Sequence, residues 1–186
     1  MAKEVSTLKN MIFALVGPSG SGKSTLIIEA ANKLQGKLEI IKSVTTRAKR
    51  EEKDNLFYFF ISEERFRLKV NDDDFAEIVS YAGNLYGYDR RAVDTVLAKR
   101  HGICAATEHG VIALMRSGYH VKAIGIAPIY KKSPISDARE KADRERRKIH
   151  ITFQKEIINS FLKGGKEKAI KELVDYIKIF TKGGYK

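Results

Sequence analysis

Nine residues, Gly17 to Thr25, read GPSGSGKST and satisfy the pattern G-x-x-x-x-G-K-[ST] through Gly17, Gly22, Lys23 and Ser24. This spacing serves one kind of chemistry, the grip on a phosphate chain. Gly20 and Gly22 let backbone N–H groups turn inward around an oxyanion with no Cβ in the way. A helix starting near Ser24 adds the partial positive charge of its N-terminus. Lys23 can bridge the β- and γ-phosphates, and Ser24 can offer a hydroxyl to Mg²⁺. The run Ser19, Gly20, Ser21, Gly22, Lys23, Ser24 and Thr25 is therefore expected to hold the phosphates of a nucleoside triphosphate.

A second group of chemistry-bearing residues follows downstream. SVTTRAKR supplies Ser43, Arg47 and Arg50, the YFF segment supplies Tyr58, FAEI supplies Glu77 and GNLYG supplies Tyr86. Two arginine forks suit the oxygens of a phosphate dianion, and two tyrosine hydroxyls can donate to them. A carboxylate such as Glu77 accepts paired N–H donors. Guanine presents such a pair at N1 and its exocyclic amine, and adenine has no equivalent. Singly, each residue has an ordinary alternative: a solvated arginine, a packed tyrosine, or a glutamate on the outward side of an alternating strand.

In this order, downstream of an intact phosphate loop, the set resembles the guanylate kinase family. That family carries a Ser-x-Thr-Thr-Arg-x-x-Arg segment, a Tyr-x-Phe strand, a glutamate and a Gly-Asn-x-Tyr-Gly segment. The resemblance implies that Ser43 and Glu77 read the base while Arg47, Arg50, Tyr58 and Tyr86 hold the monophosphate. It implies ATP and Mg²⁺ as the cofactors and GMP (and dGMP) as the acceptor. The basic stretch after Pro128 falls where the family has a lid that closes over the triphosphate. Arg139, Arg146 and Arg147 are its candidate catalytic arginines beside Lys23 and Arg47, with Arg144 a weaker candidate. Phosphoryl transfer needs positive charge on the migrating group, and lid arginines can bring it. The chain departs from the family at the end of the strand ICAATEHG, where Ala105 and Thr107 replace an Asp-x-Asp, and again at Tyr88, where the family has a small hydroxyl residue.

These residues need elements to position them. MIFALV (Met11–Val16) is a continuous apolar run, as in a buried parallel strand. Ser24–Leu34 has helical spacing and ends at Gly36. Leu38–Val44 reads as a second strand, completing a βαβ unit. Phe57 to Tyr88 reads as short antiparallel strands interrupted by a helix from Ser62. Helices are expected over Arg90–Arg100 and about Glu108–Arg116, and strands over Ile103–Thr107, His120–Pro128 and EIINS. The polar stretch Lys131–Lys148 carries eight basic and four acidic residues with no strong apolar stripe, and an amphipathic helix, Lys166–Phe180, closes the chain. The expected architecture is α/β: a P-loop parallel sheet core flanked by helices, a small mixed α/β nucleoside-monophosphate lobe, and a basic lid. The expected division is core 1–44, 89–130 and 149–186, lobe 45–88 and lid 131–148.

A chain of 186 residues, 43% apolar and 31% charged, suits one globular domain. No apolar run approaches the roughly 20 residues of a membrane span, and the first residues lack a signal peptide's layout. A cytoplasmic location without membrane partners is expected. Cys104 stands alone, which excludes an internal disulfide. The histidines His101 and His109 have no second ligand at metal spacing. Net charge is +12, of which residues 129–186 contribute +8. No nucleic-acid recognition motif accompanies that excess, so nucleotides rather than nucleic acid are the expected partners. Two further readings stand beside the leading one: a P-loop kinase for another phosphorylated metabolite, and a non-catalytic binding module of the same fold.

Overall fold

A computed structural model describes residues 9–129, 136–146 and 148–181, with the Arg146 side chain outside the description. The first strand, β1 (Ile12–Val16), is followed by α1 (Lys23–Lys33) and β2 (Leu38–Ile40). A second group comprises β3 (Ser43–Thr45), a 3-10 turn over Glu52–Leu56, β4 (Tyr58–Phe60), α2 (Glu63–Asn71), β5 (Phe75–Tyr81) and β6 (Asn84–Asp89). The chain then runs through α3 (Arg90–Leu97), β7 (His101–Ala106), α4 (Glu108–Arg116) and β8 (Val121–Ile129). It finishes with α5 (Asp137–Arg146), β9 (Lys155–Ser160) and α6 (Gly165–Thr181).

Five strands make a parallel sheet in the order β2-β7-β1-β8-β9. β1 lies at its centre, buried along its whole length because both faces are covered. Phe13 and Leu15 pack toward Leu26, Ile27, Ile170 and Leu173 of α1 and α6. Ile12, Ala14 and Val16 pack toward Val93, Leu97, Val111 and Leu114 of α3 and α4. The strand order reverses at β1, and ligands of open parallel sheets bind at the carboxyl ends of the strands flanking such a point. The Gly17–Gly22 loop leaves β1 there.

The expected strand Leu38–Val44 is two strands in two sheets. β2 ends its pairing in the core where the Ile41 N–H donates to the Ile103 carbonyl at 2.9 Å, and Ser43 next donates to Phe57 at 2.8 Å. Ile41 stays buried in the core against Gly102, where any Cβ would collide with it. That anchorage forces the chain to change sheets within two residues.

The second sheet has the order β4-β3-β6-β5. It is not wholly antiparallel, because the 3-10 turn carries the chain back so that β4 pairs with β3 in parallel. β5 and β6 form the antiparallel hairpin, with a bulge between Phe75 and Glu77. Phe66 of α2 stacks on Phe75 at 4.6 Å between ring centroids, closing a small core with Val44. Ser62 caps α2, its hydroxyl accepting from the Arg65 N–H. Among the described residues no helix is long and apolar enough to cross a membrane.

Candidate functional site

One cleft runs from the carboxyl end of β1 to the inner face of the second sheet, and most of the expected site residues line it. Gly17, Ser19, Gly20, Lys23 and Ser24 form one wall. Ser43, Arg47, Tyr58, Glu77 and Tyr86 form the other, and Arg139 reaches the rim from α5. Ser21 is fully buried beneath the loop, while Thr25 and Arg50 are exposed outside the lining. Arg147 and the Arg146 side chain lie outside the described residues.

Gly22 caps α1 in the left-handed region (φ 86°) and has no side chain to satisfy the first N–H groups of the helix. Lys23 and Ser24, which begin the helix, line the cleft, so this helix N-terminus lies where an anion would be held. A Cβ on Gly22 would also collide with the amide of Asn159, which donates to the Ser21 carbonyl at 2.7 Å and so ties the loop to β9. Lys23 folds back over the loop, its Nζ donating to the carbonyls of Gly17 at 2.7 Å and Pro18 at 2.9 Å.

Across the cleft, Arg47 is 6% exposed. Its guanidinium donates to Asp54 at 3.0 Å and to the Ala48 carbonyl at 2.9 Å, and lies 4.9 Å from the centre of the Tyr58 ring. Burial works against the Asp54 charge, but the Arg50 N–H and the Arg47 guanidinium hold its carboxyl below the usual range. Arg50 contributes through its backbone there. Tyr58 and Tyr86 meet edge to face at 6.0 Å. Burial, with Tyr86 beside it, keeps the Tyr58 hydroxyl protonated.

Glu77 owes its position to the bulge in β5. Alternation would send Ala76 and Glu77 to opposite faces, yet Phe75, Ala76 and Glu77 are all buried before alternation resumes at Ile78. Its Oε2 is buried with no hydrogen-bond partner. Oε1 fills the space over Gly110 of α4, where a Cβ would stand 2.6 Å from it. Burial pushes the carboxyl up to about 8, against the pull of the Tyr88 N–H. Ser43 lies nearby in the lining, its hydroxyl donating to the Gly87 carbonyl at 3.2 Å.

Where the sequence lacks the two aspartates, Ala105 and Thr107 line the cleft. Thr107 caps α4, accepting from the Gly110 N–H at 3.1 Å. Tyr88, buried at 5% exposure, donates to the Ala105 carbonyl at 2.7 Å. Cys104 beside it is pushed up to about 12 by burial and is inert as a nucleophile at neutral pH. Two lining residues that sequence reasoning did not single out are Tyr81 and Asp143. Neither belongs to a motif, and only the fold brings β5 and α5 to the same loop.

A family model described as guanylate kinase matches residues 9–161. The chain is 31% identical over 126 residues to a protein named guanylate kinase from Mycoplasmoides gallisepticum, covering 67% of this chain and 65% of that one. It is 42% identical over 98 residues to the Bartonella henselae protein of the same name, covering 52% and 43%. With the Schizosaccharomyces pombe guanylate kinase it shares 32% over 130 residues, covering 69% and 64%. The aligned chain thus spans less than two thirds of the length of each of these relatives. A crystal structure of guanylate kinase from Anaplasma phagocytophilum superposes with a TM-score of 0.68 over 94% of this chain and 88% of that one. At 23% identity that likeness speaks for the fold alone.

Proposed function

The chain belongs to the guanylate kinase family, and from that premise we propose that it transfers the γ-phosphoryl group of ATP to GMP or dGMP, giving ADP and GDP or dGDP. The observation that carries this reading is the buried Glu77 carboxylate, whose Oε2 lacks a partner at the opposite wall from the phosphate loop. A buried acceptor without a donor is costly. The N1–H and amino group of guanine would bring donors to that oxygen, and their approach favours the ionised carboxylate that burial alone disfavours. Ser43, its hydroxyl rotated from Gly87, would donate to the guanine carbonyl.

Ser19 to Thr25 hold the triphosphate, with Lys23 swinging from the Gly17 and Pro18 carbonyls to the β- and γ-phosphates. Arg47, already oriented by Asp54 and the Tyr58 ring, holds the monophosphate with Tyr58, Tyr86 and Arg50. An oxygen of the GMP phosphate attacks the γ-phosphorus in line, and the bond to the β–γ bridging oxygen breaks as ADP leaves. The attacking oxygen is already anionic near neutral pH, so no general base is required. Rate comes from positioning and from positive charge on the migrating group, supplied by Lys23, Arg47, the α5 residues Arg139 and Arg146, and Arg147.

The donor set fits a metal held chiefly by the nucleotide. Ser24 offers one exposed hydroxyl at the first turn of α1, and among the described residues no group of three His, Cys, Asp or Glu side chains gathers to cage an ion. Ser24 would help hold Mg²⁺ beside the bound nucleotide, where the cation would supply neutralisation of charge that develops on transfer. We further propose the division into core, monophosphate lobe over 45–88 and lid over 131–148, and a cytoplasmic location.

An ADP-release assay across GMP, dGMP, AMP, CMP and UMP tests the assignment, with turnover expected for the guanine nucleotides alone; none at millimolar GMP would overturn it. Gly110→Ala tests the base pocket. The added Cβ displaces Glu77 Oε1, so the KM for GMP is expected to rise roughly tenfold or more while the KM for ATP stays put. Equal change in both constants would dissociate Gly110 from base recognition.

A further inference from the structure

Asp143 sits in the middle of a strongly polar helix yet is only 2% exposed. Aspartates are almost never buried unless paired. Its Oδ2 accepts the backbone N–H of Ser19 at 2.8 Å, and its Oδ1 accepts the Tyr81 hydroxyl at 2.8 Å. The Tyr81 oxygen lies 2.8 Å from Ser19 Oγ as well. Since the Tyr81 proton points at the carboxylate, Ser19 is the donor in that third bond. Three separate parts of the chain thus converge on one pair of anionic oxygens: the phosphate loop, the end of β5 and the helix α5.

Ser19 is the third residue of GPSGSGKST, so the N–H that Asp143 occupies belongs to the phosphate-binding loop. A carboxylate presents two charged acceptors in a plane, the side-chain group nearest in form to the edge of a phosphate. Resting on the phosphotransfer reading above, we propose that Asp143 stands in for a terminal phosphate of the triphosphate. Ser19 N–H and the Tyr81 hydroxyl then form an anion subsite that ATP takes over once α5 withdraws, which makes Tyr81 a further catalytic residue.

Two like-charged groups cannot share the same donors at hydrogen-bond distance. Occupancy by Asp143 and occupancy by the γ-phosphate therefore exclude each other. The geometry of α5 provides for the exchange. Arg139 lies four residues before Asp143, on the same face of the helix, and lines the same cleft. A shift of about one turn along the helix axis removes the carboxylate and leaves a guanidinium beside the incoming phosphate. The group that blocks the subsite and one that complements its ligand are carried by one rigid element.

Calorimetric titration of the full chain with a β,γ-imido ATP analogue and with ADP, both with Mg²⁺, tests the proposal. Asp143→Asn is expected to tighten the triphosphate analogue about tenfold and to change ADP affinity less than twofold. Adding Tyr81→Phe in that background is expected to give back about tenfold for the analogue, again sparing ADP. Asp143→Ala repeats the first arm if the amide disturbs α5, and matching melting curves establish folding. Unchanged analogue affinity in Asp143→Asn, weaker affinity, or equal shifts for ADP and analogue would each overturn the proposal. Absence of GMP turnover by the unmodified chain would instead overturn the proposed reaction, and these affinities would still decide whether the subsite exists.

Discussion

Glu77→Gln is expected to lower kcat/KM for GMP by about two orders of magnitude while making the ligand-free chain more stable above neutral pH. The two effects have one cause. In the fold Glu77 is 6% exposed, and burial pushes its carboxyl up to about 8. An unfolded glutamate ionises near 4.5. Below that pH the group is protonated in both states and contributes no pH dependence. Between about 4.5 and 8 the unfolded chain releases a proton that the fold retains, so each pH unit of rise removes about 1.4 kcal/mol of stability. Above 8 the loss is complete. Its titratable neighbours Cys104 and Tyr88 are both pushed upward by burial and stay neutral through this window. Glutamine has no such loss, so the gap between the two melting curves is expected to widen from pH 5 to pH 8. The same change replaces an acceptor with an amide N–H₂ opposite the guanine amine. Losing a hydrogen bond to a charged group costs about 1.5–3 kcal/mol, and the apposed donors add to it. Melting curves across pH together with GMP kinetics check both halves; a variant that kept its kcat/KM would remove Glu77 from base recognition.

Lys23→Met should cost more, about three orders of magnitude in kcat, with the fold intact. The methionine keeps the aliphatic stem, and the bonds it forfeits in the free chain include those to the Gly17 and Pro18 carbonyls and a long one to Ser21 Oγ. What disappears is the cation proposed to move from these carbonyls to the β- and γ-phosphates. Losing a single preorganised donor to developing charge costs about 10²–10³ in kcat, and a full charge should lie at or above the upper end. Turnover at saturating ATP and GMP, set beside a melting curve, separates this from unfolding. Activity above a tenth of the unmodified chain's would contradict the role given to Lys23.

Those residues were legible because local physics writes them into the sequence. A continuous apolar strand, a glycine-rich turn and a helix at 3.6 spacing need no tertiary information, and β1, the Gly17–Gly22 loop and α1 stand where the pattern puts them. Ser62 and Thr107 act as helix caps through their own backbone neighbours. What escaped depends on distant partners. The run from Leu38 to Val44 carries no sign that Ile41 is pinned to β7 and that the next residues join another sheet. Parallel pairing of β3 with β4 follows from how the intervening turn folds back. Glu77 is buried by a one-residue irregularity in β5 that alternation alone predicts away. Asp143 was hidden for a related reason: a helix of mostly charged residues has no periodic stripe, and one inward carboxylate does not make one.

The second sheet enters and leaves the core by neighbouring strands, since Val44 pairs with Gly87 and the chain returns at Arg90. Residues 43–89 are thus spliced into the parallel-sheet core at adjacent points, much as a cassette is held by one socket. A chimaera carrying the matching stretch of another monophosphate kinase would need only two peptide joins. Its chief constraint would be α4 and the residue that caps its C-terminus, since Ser117 donates to the Ala76 carbonyl and Gly110 yields room to Glu77. Base preference in such a chain would be transplantable as a block, with the phosphate loop left in place and a tyrosine kept at position 81 to meet Ser19.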